Sequence, residues 1–318
     1  MIATMERARD GATTEAGIEA PANEPRNGVD AAAFESLRSY LFAIAYRMLG
    51  SAIDAEDVVQ DAWLRLAGRP EQEIRSPKAY ASAVVTRLCL DRLAAVRTER
   101  QTYHGPWLPE PVPSDDVAPG PELAAERRDD ISLAFLVLLE RLTPDERAAY
   151  VLREAFDYPY QEIAHILDKS VPAVRQIAHR ARAHLADRPR FVASPDDQRR
   201  LAERFLRAAR QGDLPALTAT FAADITSWAD GGSRVLSARR PLHGADTIGR
   251  WLIGLEAMLY RDTEARLAAI NGGVGVVRWR GGDLIRATVI DVAADGRIQA
   301  LRVIVNPDKL AYLQRRLA

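Results

Sequence analysis

The stretch Tyr160–Arg182 reads YQEIAHILDKSVPAVRQIAHRAR. Ile163, Ala164 and Leu167 recur at helical spacing and give a short helix an apolar inner side. Asp168-Lys169-Ser170 is a tight turn. Ser170 can cap the helix that follows, and Pro172 is tolerated in a first helical turn. On that second helix Val174, Ile177, Ala178, Ala181 and Leu185 point inward. Arg175, Gln176, His179, Arg180 and Arg182 point away. Two short helices at this spacing form a helix-turn-helix, whose second helix enters a DNA major groove. Arginine and glutamine pair bidentately with base edges there, and further arginines meet phosphate. Lys169, Arg175, Arg180, Arg182, Arg188 and Arg190 stand against Asp187, a local basic excess. The competing reading is a helical hairpin with a solvated basic face.

The chain around this motif has 318 residues and a formal net charge of −1, so any contact with nucleic acid rests on local faces. Length suggests about two or three domains. A hydrophobic share of 47% excludes wholesale disorder. The single cysteine, Cys89, excludes an internal disulfide and a multi-cysteine zinc site. Five scattered histidines argue against a histidine-ligated metal centre. The first residues carry no apolar core of a signal peptide. The most apolar run, Leu41–Leu49, contains Arg47 and is too short to span a bilayer. A soluble, cytoplasmic chain with no membrane partner, no metal and no cofactor is expected.

Residues 1–28 read as a disordered tail. Phe34, Leu37, Leu41, Ile44 and Met48 form the stripe of an amphipathic helix that Gly50 ends. A second helix runs from Asp54 and is closed by Gly68 and Pro70; Ser76-Pro77 opens a third, to about Val96. Prolines 106, 109, 111, 113, 119 and 121 then exclude helix and mark a semi-rigid linker. A buried helix ends near Leu142, Thr143-Pro144-Asp145-Glu146 is a capping box, and the helix-turn-helix follows Tyr158-Pro159. From Ser194 two helices precede strand-like runs at 224–229, 235–238, 274–279, 284–292 and 298–305, with a helix at 246–258 among them. The fold class is therefore multidomain: two all-helical modules, then an α+β module.

Two helices carry chemistry of their own. In DAEDVVQDAWLRL (54–66), Asp54, Asp57 and Asp61 share one face beside Glu56 and Gln60. The helix dipole accounts for acids in the first turn but not for Asp61, and such a stripe suits a basic partner. The third helix carries Arg75, Lys78, Tyr80, Arg87, Arg92 and Arg97. Cations interleaved with an aromatic suit single-stranded DNA, and equally suit a solvated helix with Tyr80 in the core.

These features, in this order, resemble the extracytoplasmic-function sigma factors of bacterial RNA polymerase. DAEDVVQDAWLRL resembles their core-polymerase-binding helix, so the resemblance assigns Asp54, Glu56, Asp57, Gln60 and Asp61 to that contact. SPKAYASAVVTRLCLDRL (76–93) resembles their −10 melting segment and places Lys78, Tyr80, Arg87 and Arg92 on DNA. Many members carry tryptophan where Tyr80 stands. The helix-turn-helix resembles their −35 reader, with Arg175, Gln176, His179, Arg180 and Arg182 on that element. The implied partners are core RNA polymerase and promoter DNA. Implied domains are region 2 at 29–101, a linker at 102–122, region 4 at 123–190 and a fused SnoaL-like domain of the NTF2-like cone type at 194–318.

YHGPWLPEP (103–111) resembles the linker of the subgroup with such a fused domain. Trp107 and Leu108 waste apolar surface if left in solvent, so they are expected to dock. Asp230-Gly231-Gly232-Ser233-Arg234 sits where the subgroup carries an Asp-Gly-Gly-Gly-Lys type motif, with Ser and Arg as departures. Asn306-Pro307-Asp308-Lys309-Leu310 resembles its C-terminal signature. The resemblance implies regulatory contacts at these residues, in place of a separate anti-sigma partner. It leaves room for a small-molecule ligand in the cone pocket. No catalytic residue is assigned: Asp230, His243 and Asp291 are the bases on offer, yet Asp230 is equally a turn residue and His243 a loop residue. The alternatives are a DNA-binding regulator that ignores polymerase, or one whose cone is a sensor or an enzyme.

Overall fold

The computed structural model describes residues 31–67, 76–117, 131–186 and 194–318. The tail at 1–28, the helix stop at Gly68 and Pro70, and residues Arg75, Asp187, Arg188 and Arg190 lie outside these, as does the Arg97 side chain. Three helices open the chain: α1 (Ala31–Leu49), α2 (Ala52–Leu66) and α3 (Pro77–Gln101). Gly50 ends α1 at φ +68°, and Ser51 caps α2 by accepting from the Asp54 amide. Helices α4 (Leu133–Leu139), α5 (Pro144–Tyr150), α6 (Tyr160–Leu167) and α7 (Val171–His184) follow. The Thr143–Glu146 capping box forms as read, and α5 continues into a π turn at Val151–Ala155. Asp168 takes the left-handed conformation that ends α6, and Ser170 caps α7.

The last domain begins with α8 (Pro195–Gln211) and α9 (Leu214–Thr218). Its strands are β1 (Phe221–Asp230), β2 (Leu242–His243), β3 (Glu264–Ile270), β4 (Gly273–Arg280), β5 (Asp283–Val292) and β6 (Ile298–Ile304). Helix α10 (Ala245–Leu259) sits between β2 and β3, and α11 (Pro307–Leu317) closes the chain. The strands form one sheet in the order β2-β1-β6-β5-β4-β3, antiparallel except for the β1–β6 pair. Register shifts interrupt three of the pairings, which bends a sheet.

One expectation is corrected, and one strand was not expected. Residues 235–238 are not a strand: the chain turns away after Asp230, and the outer edge of β1 is taken by the two residues of β2. Residues 264–270, rich in helix formers, are a strand, because all seven pair with β4.

The sheet is buried on both faces. Leu201, Phe205, Ile248 and Leu252 pack on one side with Val276, Ile290, Leu301 and Val303. Val277, Leu284, Val289 and Ile304 on the other belong to the same cluster as α1–α7. Both helical modules and the outer face of the cone therefore share one apolar core. The linker runs through that junction. Asn271, in the β3–β4 turn, exchanges two hydrogen bonds with Val112 and donates to the Tyr46 hydroxyl (2.8 Å) and the Ile131 carbonyl (3.0 Å). The Glu110 carboxylate accepts from the Ala52 and Ile53 amides at the start of α2.

Asn271→Ala should cost about 3 kcal/mol, since it strands several buried polar groups at once. A lowered urea midpoint followed by far-UV dichroism checks it; an unchanged midpoint excludes Asn271 as a junction pin.

Candidate functional site

On the helix-turn-helix, Val174, Ile177, Ala178 and Ala181 are buried, which leaves Arg175, Gln176, His179, Arg180 and Arg182 exposed along α7. Two of these are held by carboxylates. Arg182 donates to Glu154 (2.7 Å) and the Tyr160 hydroxyl (3.1 Å), contacts that raise its pKa. Arg180 leans on Glu146 at 3.4 Å. Arg175 stands over the Tyr160 ring at 5.7 Å. Gln176 and His179 have no side-chain partner among the described residues.

Helix α2 splits the acidic stripe. Asp57, Gln60 and Asp61 are exposed, but Asp54 is half-buried and paired with Arg92 of α3. Glu56 is half-buried and pairs with Arg315 of α11 at 2.8 Å. Ile53 and Leu64 are also exposed, Leu64 at 64%. With Asp57, Gln60 and Asp61 they recur at steps of three and four, so acids and unsatisfied apolar groups share one helix face. The acids were legible in the sequence; the bare Ile53 and Leu64 were not.

The basic helix α3 is partly engaged. Arg87 donates to the His165 (3.0 Å) and Ile166 (3.1 Å) carbonyls at the end of α6. Those carbonyls lack helical partners, and a cation at a helix C-terminus also meets its dipole. Lys78 lies 4.0 Å from the Tyr40 ring. Tyr80 is half-buried against the core. Regions that are separate in sequence are thus joined: α3 packs on α5 and α6.

The linker, the Asp230 turn and the 306–310 segment meet at one point. Asp230 is fully buried. Its carboxylate accepts from Tyr103 Oη (2.6 Å), the Leu108 amide (2.8 Å), the Gly232 amide (3.2 Å) and Lys309 Nζ (2.7 Å). Lys309 also donates to the Leu108 carbonyl at 2.5 Å. Burial pulls the Lys309 ammonium below its ordinary range, and Asp230 opposes that. The Lys309 ammonium (4.3 Å) and the Arg100 guanidinium (4.2 Å) both stand over the Trp107 ring, which packs against Gly50. A Cβ at Gly50 would lie 2.9 Å from the Trp107 ring. Gly232 has φ +55°, and a Cβ there would meet Asn306 and Tyr103 within 3 Å. Asn306 caps α11, Pro307 fills its first turn, and Asp308 pairs with Arg234. Trp107, Leu108, Asp230, Gly231, Gly232 and Asn306–Lys309 are thus brought together. Tyr103, Arg100 and Glu110 complete the cluster; Tyr103 and Glu110 lie in the YHGPWLPEP segment, but nothing in the sequence singled out any of the three as a partner.

The cone holds a cavity of about 570 Å³. Asp230, His243 and Asp291 do not line it. Asp291 lies on the opposite sheet face, paired with Arg302 at 2.8 Å, its pKa raised by burial. Exposed His243 meets the Thr226 hydroxyl at 3.2 Å. Among the described residues no group of His, Cys, Asp and Glu is placed to hold a metal, and no helix is long and apolar enough to cross a membrane.

Family models place this architecture. Sigma-70 region 2 matches residues 33–99, and sigma-70 region 4 matches residues 132–185. The chain therefore carries the two helical regions of the sigma-70 class. It is similar to the ECF RNA polymerase sigma factor SigJ of Mycobacterium tuberculosis, 37% identical over 87% of this chain and 91% of that protein. It is also similar to the probable ECF RNA polymerase sigma factor SigI of the same organism, 31% identical over 90% and 96%. The crystal structure of SigJ covers 89% of this chain and 99% of its own, with TM-score 0.69 and 35% identity. The chain belongs to the extracytoplasmic-function sigma factors of RNA polymerase. Its helical regions followed by an α+β sheet domain match that structure.

Lys309→Met leaves Asp230 buried without its counter-ion and should cost about 3–5 kcal/mol. The check is the urea midpoint together with proteolysis between Tyr103 and Val117, where new cleavage is expected. Unchanged stability and an uncut linker would remove the pair from the junction.

Proposed function

We propose that this sigma factor, a cytoplasmic protein, binds core polymerase through the exposed face of α2, melts and holds the −10 element with α3, and reads the −35 element with α7. On this reading Asp57, Gln60 and Asp61, with Ile53 and Leu64, meet a basic and apolar partner surface. Asp54 and Glu56 join them only when Arg92 and Arg315 let go. Gln176, His179 and Arg175 face base edges, while Arg180 and Arg182 exchange Glu146 and Glu154 for phosphate.

We further propose that the arrangement described above is a closed state, and that the cone domain holds it. The observation that carries this is Arg87, a residue assigned to promoter DNA, whose guanidinium is spent on α6. Two promoter elements centred about 25 base pairs apart lie ~85 Å apart at ~3.4 Å per pair. Helices α3 and α6 in contact cannot grip both, so the modules must part. The Asp230–Lys309 junction opposes parting, because it fixes the linker to the cone while both modules pack on the cone's outer face. Polymerase and promoter shift the balance only through tighter binding to the open form. No catalysis is assigned to the cone, a reading supported by the position of Asp230, His243 and Asp291 away from the cavity.

Run-off transcription with core polymerase on the chain's own upstream region tests the function as a whole. Asp57→Lys with Asp61→Lys should abolish core binding with the fold intact; unchanged affinity removes α2 from the interface. Arg175→Ala should weaken −35 binding by about 1–3 kcal/mol in a sequence-dependent manner. An equal loss on every sequence demotes Arg175 to a phosphate contact. Energy transfer between labels at Arg65 and Ala183, both exposed, should fall when core polymerase is added. A constant signal would refute the closed-state reading.

A further inference from the structure

The cone cavity has a polar arrangement that neither the promoter contacts nor the junction uses. Strands β4 and β5 place Arg278 and Arg286 directly opposite each other, with side chains on the sheet face beneath α10. Both guanidinium groups stand over the Tyr260 ring, at 4.7 and 5.2 Å. Both residues are buried. Glu256 of α10 is the one carboxylate given to the pair, and it is bonded to Arg278, which also donates to Thr263 at 3.1 Å. Arg286 donates through Nε to the Thr288 hydroxyl at 3.0 Å and meets no carboxylate among the described residues. Of the two arginines it is Arg286 that lines the cavity. A buried guanidinium without a counter-ion is costly unless something of opposite charge reaches it.

The rest of the lining is the reverse in character. Leu242, Leu252, Leu255 and Val303 form an apolar body, and Leu236, Trp251 and Leu259 extend it to the mouth, where Leu236 is 93% exposed. Arg280 and Asp283, at the rim, bring opposite charges that offset each other. A cavity of about 570 Å³ with largely apolar walls, an apolar lip and one buried arginine that no carboxylate meets among the described residues has the form of a small-molecule site.

We infer that the cone binds an amphipathic acid, a hydrocarbon chain or ring system bearing a single carboxylate, with the carboxylate on Arg286 and the apolar body against Leu252, Leu255 and Val303. A planar carboxylate takes two parallel hydrogen bonds from a guanidinium, and apolar surroundings strengthen them. The cavity wall also includes Val235 and Ser237 of the 231–241 turn, and Pro307 and Leu310 of α11. Val235 and Ser237 press on Gly231, next to Asp230, and Leu310 follows Lys309. An occupant therefore touches both segments that carry the buried ion pair. Its effect on transcription rests on the closed-state reading; its binding does not.

Isothermal titration of the full chain with decanoate, decanol and decyltrimethylammonium, without polymerase or DNA, tests the site. Decanoate should bind at least tenfold more tightly than decanol, and the ammonium should not bind. Arg286→Gln should bring decanoate to the level of decanol. Leu255→Trp, at a half-buried lining position, should weaken both. Equal affinity for acid and alcohol, or heat from neither, overturns the inference without touching the promoter reading. Should Arg286→Gln fail to fold, the comparison of three ligands on the unaltered chain still decides. Hydrogen exchange at 231–241 should slow with decanoate bound; slowing confined to other segments would overturn the placement.

Discussion

The arrangement of this protein depends on one buried ion pair. Asp230 and Lys309 are both withdrawn from water, at a desolvation cost of several kcal/mol per ion. That cost is offset only because every group around them is engaged. Asp230 receives four hydrogen bonds, and Lys309 gives two while lying against two aromatic rings. Two of the bonds to Asp230 come from the linker, and Lys309 bonds the Leu108 carbonyl, so linker and cone are tied through polar groups rather than apolar area alone. Such a pair specifies geometry: a shift of the linker by one residue would leave a charge unsatisfied.

From that point the linker works as a layer between helices and sheet. Glu110 supplies acceptors to the first amides of α2, a cap taken from 58 residues away. Asp116, at its far end, accepts from Tyr312 and Arg316 of α11, and Tyr312 stacks on Phe42 of α1. A proline-rich segment suits this task. It loses little conformational entropy on ordering and, with no more than a short 3-10 turn at Ser114–Val117 and a bridge from Pro113 to Ile270 among its described residues, offers its backbone groups to neighbours.

Several charges are engaged within the chain. Several residues whose type suits DNA or polymerase are held by partners within the chain: Arg87 by α6, Arg92 by Asp54, Arg180 and Arg182 by Glu146 and Glu154. Exposed pairs of this kind contribute roughly 0–1 kcal/mol each, so they are readily exchanged. The buried pair at the junction is not. On the closed-state proposal, weak surface pairing beside a strong buried lock would let the modules part at an interface rather than by refolding.

Local rules determined much of this in advance. The helix-turn-helix was legible because stripe, cap, turn and charge lie within about two dozen consecutive residues and rest on short-range sterics and hydrogen bonds. The same holds for the Thr143–Glu146 box and for the end of α1 at Gly50. Trp107 and Leu108 were legible as docking residues because apolar surface must go somewhere. What tertiary structure alone decided is set by partners distant in the chain. Glu264–Ile270 has helical propensity and becomes a strand because β4 pairs with it. Residues 235–238 look strand-like and are not, since the edge they would need is occupied. Asp54 belongs to an acidic stripe by spacing, yet Arg92, 38 residues on, removes it from the exposed face. Asp230 reads as a turn residue, and its role comes from Lys309, 79 residues away. Periodicity encodes which face is apolar; it carries no information about which buried charge will meet which.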